Sequence, residues 1–298
     1  MFVKLSGVER KPPFQLYGIF GDPLRHTLSP RMQEAAFRKF GISAFYLPFE
    51  MDLRNFRKIM KHLPSLILDG FNVTVPHKEN VIPFLDKVSA EASVIGAVNT
   101  VFRRGRKWMG ENTDACGFLR SLKEEAKFSI KGKRALVLGA GGSARAVLYA
   151  LCSQGAESVT VVNRNLLRAQ TIVRHFGSVF SKVKLQFSAL AGFDFRSSLE
   201  LVDLLVQTTS IGLKSGDHSL IKKNEIPRAQ GKHRLLVVDL IYKPAQTELL
   251  RIAKARGHRT LNGAGMLIFQ GAKAFETWTG KKAPISEMRK ALGTVLID

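Results

Sequence analysis

The chain has 298 residues, 45% hydrophobic and 23% charged, and a formal net charge of +22 at neutral pH. Its length exceeds one small core and points to two lobes, and its basic residues are scattered rather than gathered into a recognisable nucleic-acid module, so a specific nucleic-acid partner is not expected. Two cysteines, Cys116 and Cys152, are too few for a disulfide framework and lack metal-ligand spacing; no apolar run is long enough for a membrane span, no signal peptide is evident, and the expected home is a reducing cytoplasm.

In chain order, Tyr17–Gly21 reads as a short strand, and Ser29-Pro30 as a helix start with Ser29 as N-cap and Pro30 in the first helical position. Phe45–Phe49 reads as a second strand. Leu53–Leu63 follows as an amphipathic helix with Phe56, Ile59, Met60 and Leu63 inward. Asp69–Val75 is a third strand closed by Pro76, and Ala97–Phe102 with Lys107–Gly110 flank Arg104-Gly105 as a hairpin. Thr113-Asp114 opens a helix carrying Phe118, Leu119 and Leu122. Later come the strands Leu201–Gln207 and Leu235–Leu240, a helix from Thr247, and an apolar helix over Gly265–Trp278. Strands alternating with helices predict parallel sheets in both lobes.

Between these parts lies the run Leu136-Val137-Leu138-Gly139-Ala140-Gly141-Gly142-Ser143-Ala144-Arg145-Ala146. An apolar strand enters a glycine-rich turn, and the turn opens a helix, Ala144–Gly155, with Ala146, Val147, Ala150 and Leu151 on its apolar face. A further strand, Ser158–Val162, follows. That frame brings backbone N–H groups and a helix N-terminus up to a pyrophosphate, with residues 139 to 144 as its cradle. At the end of the second strand a dinucleotide with a free ribose 2′-hydroxyl is usually met by Asp or Glu. Here Asn163-Arg164-Asn165-Leu166-Leu167-Arg168 holds no acid, and Arg164 with Arg168 suits a dianionic 2′-phosphate. NADP is the expected cofactor. Part of the positive charge, concentrated between residues 114 and 262 with 24 bases against 11 acids, is then expected to steer anionic ligands.

Seven blocks outside and around this turn carry a resemblance. They are Gly21-Asp22-Pro23-Leu24-Arg25-His26-Thr27-Leu28-Ser29-Pro30, Asn72-Val73-Thr74-Val75-Pro76-His77-Lys78, Gly96-Ala97-Val98-Asn99-Thr100, Asn112-Thr113-Asp114, Thr209-Ser210-Ile211-Gly212, Asp239-Leu240-Ile241-Tyr242-Lys243-Pro244, and Asn262-Gly263-Ala264-Gly265-Met266 with Gln270. In this order, from about residue 17 to 280, the chain resembles the shikimate dehydrogenase family. The resemblance implies an enzyme that interconverts 3-dehydroshikimate and shikimate with NADP, a step of aromatic amino acid biosynthesis by way of chorismate. Lys78 and Asp114 match the family's catalytic pair. An ammonium near a carbonyl can supply the proton that ketone reduction requires, held by a neighbouring carboxylate.

The same resemblance implies that Thr27 and Ser29 hold the substrate carboxylate, that Thr74, Asn99 and Gln270 bind ring hydroxyls, and that Tyr242 lines the site. Thr209, Ser210, Gly263 and Met266 match elements that meet the cofactor. On their own residues, Ser29 reads equally as a helix cap, Thr74 as a strand residue, Asn99 as a turn former, and Lys78 and Asp114 as a surface cation and a helix-capping acid. No metal is expected. The chain departs from the family at Thr27, where Ser is usual and the extra methyl bears on shikimate against quinate. Further departures are Ala115-Cys116 before Gly117, Asn165 and Arg168 beside the phosphate arginine, and Gln207-Thr208 before Thr209. None removes a proton donor or a cofactor anchor.

The fold expected is α/β in two lobes: an N-terminal α/β substrate-binding domain of residues 1–113 plus a returning segment 263–298, and a Rossmann-like, doubly wound NADP-binding domain of residues 114–262, with a cleft between them. The expected assembly is a monomer or homodimer. A quinate/shikimate dehydrogenase of dual substrate or cofactor use is the alternative, and a non-catalytic shikimate-binding sensor a further one, since fold and pocket alone do not make turnover.

Overall fold

The computed structural model describes residues 13–25, 27–214, 216–230 and 234–293. The first sheet begins with β1 (Gln15–Gly21), followed by α1 (Ser29–Lys39), β2 (Ala44–Glu50), α2 (Leu53–Met60) and β3 (Gly70–Val73). β1 runs parallel to both β2 and β3, as two crossovers through helices require. Then come β4 (Lys87–Val88), α3 (Ala90–Ile95), and the hairpin of β5 (Thr100–Arg104) and β6 (Lys107–Glu111). The hairpin turns at Gly105, as its sequence predicts. β5 lies antiparallel to β3, and the strand order is β2-β1-β3-β5-β6-β4. The expectation of a parallel sheet here is therefore corrected. With only two residues between β5 and β6 no crossover is possible, so the sheet is mixed.

α4 (Asp114–Glu124) leads to the second sheet, built from β7 (Arg134–Leu138), α5 (Gly142–Ser153), β8 (Ser158–Asn163), α6 (Leu166–Val179), β9 (Lys184–Ala189), α7 (Phe195–Leu201), β10 (Leu204–Gln207), β11 (Leu236–Asp239), α8 (Glu248–Ala255) and β12 (Arg259–Leu261). All six strands are parallel in the order β12-β11-β10-β7-β8-β9. Both faces are covered. Val137 packs into one apolar cluster with Leu151 and Val161, while Leu136 and Leu138 enter another with Leu205 and Leu249. Alternate residues of one apolar run thus serve opposite cores, which is why β7 reads as uninterrupted hydrophobics. The strand order reverses between β7 and β10, and ligands of such sheets bind beyond the strand ends at that point.

Two helices return to the first lobe, α9 (Ala264–Thr279) and α10 (Ile285–Leu292). Phe275 and Met288 join Tyr17, Met32 and Phe37 in one core, and Trp278 Nε1 donates to Val101 O at 3.0 Å. Gln33 Nε2 donates to Gly271 O at 2.9 Å. α9 also packs along α4 at Gly117, where a Cβ would stand 2.8 Å from the Gln270 backbone nitrogen. The glycine after Ala115-Cys116 is thus the one that this helix contact requires, while Ala115 is buried and Cys116 faces outward.

Candidate active site

Between the two sheets lies a cavity of about 300 Å³. Lys78 reaches it from the loop after β3, and Asp114 is the first residue of α4, where the helix N-terminus favours a carboxylate. Lys78 Nζ donates to Asp114 Oδ2 at 2.6 Å, and both side chains are more than nine-tenths buried. The other carboxylate oxygen accepts from Asn99 Nδ2 at 2.8 Å. Asn99 Nδ2 also lies 3.3 Å from Gln270 Oε1, and Asn99 Oδ1 accepts from the Thr113 N–H at 2.8 Å. Asn112 Oδ1 accepts from the Asp114 N–H at 3.0 Å, fixing the start of α4. A buried ion pair held by this many partners has one geometry, not several.

The residues expected at the substrate share this wall. Thr27, Ser29, Thr74, Asn99, Tyr242 and Gln270 all line the cavity. Tyr242 is hydrogen-bonded to Thr27 and to the Leu28 backbone, and burial raises its hydroxyl pKa against those bonds. The capping role expected of Ser29 is corrected. Leu28 occupies the N-cap position without a side-chain bond, Ser29 is the first helical residue, and Pro30 follows it. The Ser29 N–H is already taken by Thr27 Oγ1 at 3.4 Å, and the Ser29 hydroxyl meets Tyr46 at the cavity's edge.

The glycine turn meets the cavity at Ser143. Gly139 has φ +108°, and a Cβ there would meet Thr208 Oγ1 at 2.5 Å. Only glycine serves there, and Thr208 donates to Leu138 O at 2.6 Å across the reversal point. Gly141 is the N-cap of α5 and makes no side-chain cap, and nothing lies within 4 Å of where its Cβ would stand. Ala140 and Ala144 are buried beneath the turn. The N–H groups of the first turn of α5 are therefore presented beside an open space, the fit expected for a pyrophosphate. Lys78 packs on Gly142 at 3.1 Å from where its Cβ would be, and its Nζ lies 3.3 Å from Ser143 Oγ.

At the end of β8, Asn163 Nδ2 donates to Asn165 O at 2.8 Å, and Asn165 caps α6 by accepting from the Arg168 N–H at 3.1 Å. Arg164 and Arg168 are both exposed here, with no acid in the segment. Thr209, Ser210, Gly263 and Met266, the residues expected to meet the cofactor, line the same cavity. At Gly263 any side chain would overlap the Leu240 carbonyl, so the close approach of these two loops requires glycine.

Three models of known families match the chain: the shikimate dehydrogenase substrate binding domain over residues 19–101, shikimate/quinate 5-dehydrogenase over 121–248, and the shikimate 5′-dehydrogenase C-terminal domain over 263–292. The chain belongs to the shikimate dehydrogenase family.

Among relatives, the shikimate dehydrogenase (NADP(+)) of Desulforamulus reducens is 40% identical over 280 residues, covering 93% of this chain and 94% of that one. The crystal structure of the Aquifex aeolicus shikimate dehydrogenase superposes with a TM-score of 0.83 at 40% identity, covering 94% of this chain and 98% of that one. The Thermus thermophilus shikimate 5-dehydrogenase in complex with NADP(H) and shikimate gives 0.79 at 37% identity, over 93% and 98% of the two chains. Several side chains of this site carry no signal in the sequence. Glu79 pairs with Arg145 and Arg168, and buried Gln207 accepts from the Thr209 N–H at 3.0 Å while its Nε2 reaches Ile211 O at 3.3 Å. The Gln207-Thr208 departure is thereby accommodated: the longer amide folds the loop back on itself.

Proposed function

We propose that the protein is an NADP-dependent shikimate dehydrogenase that reversibly reduces 3-dehydroshikimate to shikimate, with residues 1–113 and 263–298 as the substrate-binding domain and 114–262 as the NADP-binding domain. The observation that carries this reading is the buried Lys78–Asp114 pair, which faces the cavity on one side and the glycine turn on the other. Residues 139–144 of the turn, with Asn163, Arg164 and Arg168, would hold NADPH, which when bound would supply the hydride. Thr27 and Ser29 hold the substrate carboxylate by their hydroxyls, with Tyr242 bracing Thr27. Thr74, Asn99 and Gln270 orient the ring hydroxyls, since amides and short hydroxyls both donate and accept. Lys78 gives the proton to the ketone oxygen as it gains negative charge, and Asp114 holds the ammonium aimed along that path. In the reverse direction Lys78 accepts the hydroxyl proton. All these groups come from one chain, so a monomer or a homodimer serves equally. The two free thiols fit a reducing cytoplasm.

The test is a steady-state oxidation assay pairing shikimate or quinate with NADP or NAD. Turnover concentrated in shikimate with NADP is the expected result. Strong quinate turnover would assign the dual-specificity activity instead, and binding without turnover the sensor.

A further inference from the structure

Beside Lys78 stands a residue that none of the preceding roles uses. Glu79 carries its carboxylate between two arginines of the other lobe: Oε2 lies 3.5 Å from Arg145 Nε, and Oε1 lies 3.7 Å from Arg168 Nη2. Arg145 is on α5, two residues after Ser143, and is itself anchored by donation from Nη1 to Ile95 O at 3.3 Å. Arg168 is in the first turn of α6, where the 2′-phosphate is expected. The dipeptide Lys78-Glu79 therefore touches the glycine turn, the helix behind it and the phosphate-reading helix, all from one short loop of the substrate lobe.

We propose that Glu79 is a positioning residue that links recognition of the 2′-phosphate to the placement of Lys78 and thus to substrate binding; this rests on the reading of the cleft as a shikimate and NADP site. The charges alternate along the path: a dianionic phosphate, the Arg168 guanidinium, the Glu79 carboxylate. The Arg168 side chain is 59% exposed, and an exposed pair at 3.7 Å fixes neither partner by itself. A phosphate on the far side of the same guanidinium gives it a second, stronger anchor and turns Arg168 into a fixed post for Glu79. Glu79 then draws the loop bearing Lys78 against the second lobe, narrowing the cleft around the substrate. A dinucleotide with a free 2′-hydroxyl leaves Arg168 without that anchor, so the carboxylate has only Arg145 to hold it. The linkage is reciprocal: whatever the phosphate adds to substrate affinity, substrate adds to the affinity for the phosphorylated cofactor.

The experiment uses a pair of ligands that do not react, shikimate with a reduced cofactor, so binding is read without turnover. Calorimetry measures the shikimate Kd of the full chain with saturating NADPH and with saturating NADH, for wild type, Glu79→Gln, Arg168→Ala and the double variant. Wild type is expected to bind shikimate about fivefold to tenfold more tightly with NADPH, the lower part of the range for coupled sites. In Glu79→Gln that ratio is expected to fall below about twofold, with Arg168→Ala giving the same collapse and the double variant no further change. A ratio unchanged in Glu79→Gln, or affinity lost equally with both cofactors, would overturn the proposal and leave Glu79 a seam residue only. Tighter binding of NADPH by Glu79→Gln without loss of the ratio would also overturn it, showing that the carboxylate merely repels the phosphate. Should Glu79→Gln fail to fold, the exposed Arg168→Ala carries the same test. Absence of shikimate binding to wild type with either cofactor would instead contradict the proposed function itself.

Discussion

Asp114 divides its two carboxylate oxygens between Lys78, at 2.6 Å, and Asn99, at 2.8 Å. The Lys78 ammonium and the Asn99 amide, proposed as proton donor and ring-hydroxyl ligand, are thus registered against one another by a single carboxylate at the head of α4. Asn99 extends the register to Gln270 on α9, so the loop after β3, the residue preceding β5 and the returning helix meet at one point. Loss of any one member is felt by the others.

Removing the guanidinium at Arg164 separates the two cofactors. Arg164→Ala is expected to lower kcat/KM for NADP by about tenfold to a hundredfold, the loss of one charge-assisted hydrogen bond, and that for NAD by less than about twofold. Steady-state kinetics with each cofactor at saturating shikimate reads the difference. Equal losses would show that Arg164 does not meet the 2′-phosphate.

Two glycines of the cofactor side are expected to behave oppositely. Around Gly141 the Cβ position is open, and φ is −103°, so Gly141→Ala is expected to fold with a Tm within a few degrees of wild type and to bind NADP at least about tenfold more weakly, because the methyl occupies the space a pyrophosphate needs. Gly263→Ala places its methyl on the Leu240 carbonyl and is expected to destabilise the fold by about 1–3 kcal/mol. Thermal unfolding with and without NADP distinguishes them.

The pH dependence of stability has two opposed contributions. His77 is buried, stacked on Phe56 with ring centroids 4.1 Å apart, and its Nε2 is 2.8 Å from Met51 O. Burial pushes its pKa below 6.5, while the Met51 bond, Asp22 and Asp52 oppose this. The unfolded chain therefore takes up a proton here before the folded one does, and stability is lost as pH falls through 6.5 toward the lower folded value.

At Asp239 the sign is reversed. Burial pushes this carboxyl up to about 6 from 3.8, against bonds from the Thr247 hydroxyl and the Ile241 N–H. The folded protein holds the proton more tightly, so this group's contribution grows as pH falls from about 6 to 3.8 and is lost on the way back up. Urea unfolding between about pH 5 and 8 is expected to show His77→Phe with a flatter acid loss than wild type, and Asp239→Asn with a steeper one. Identical pH profiles in all three proteins would remove both assignments.

Much of the second lobe is legible because its strands are buried on both faces. The β7 turn, α5 and β8 appear in the residues as an apolar run, glycines and another apolar run. β9 escapes this reading because it is an edge strand, Lys184-Leu185-Gln186-Phe187-Ser188-Ala189, with no fully buried position. The expected strand from Leu201 starts late for a related reason: Leu201 ends α7, a helix of seven residues too short to show a period. In the first lobe the β5–β6 hairpin is legible, but its antiparallel pairing with β3 is set by tertiary contact and carries no local signal.

The site divides in the same way. Lys78, Asp114 and their ligand-side neighbours are legible only through the ordered family blocks, because a lysine after a proline and an acid at a helix start have ordinary explanations. The Thr27 hydroxyl accepts from the Ser29 N–H and the Ser29 hydroxyl is bonded to Tyr46, so the serine does not cap α1 as its sequence context suggests. Glu79 directly follows the family block that ends at Lys78, yet its partners Arg145 and Arg168 are 66 and 89 residues further on, and no spacing rule joins them.

If Lys78 moves the proton in this cleft, Lys78→Ala loses the chemical step and keeps the cofactor, which kcat/KM for shikimate oxidation by NADP measured beside the Kd for NADPH reads directly. The expected result is a loss of about a hundredfold to ten-thousandfold in kcat/KM, the span of general acid–base contributions, with the NADPH Kd within about twofold of wild type. Near-wild-type turnover in Lys78→Ala, or loss of NADPH binding with the chemical step intact, would contradict it.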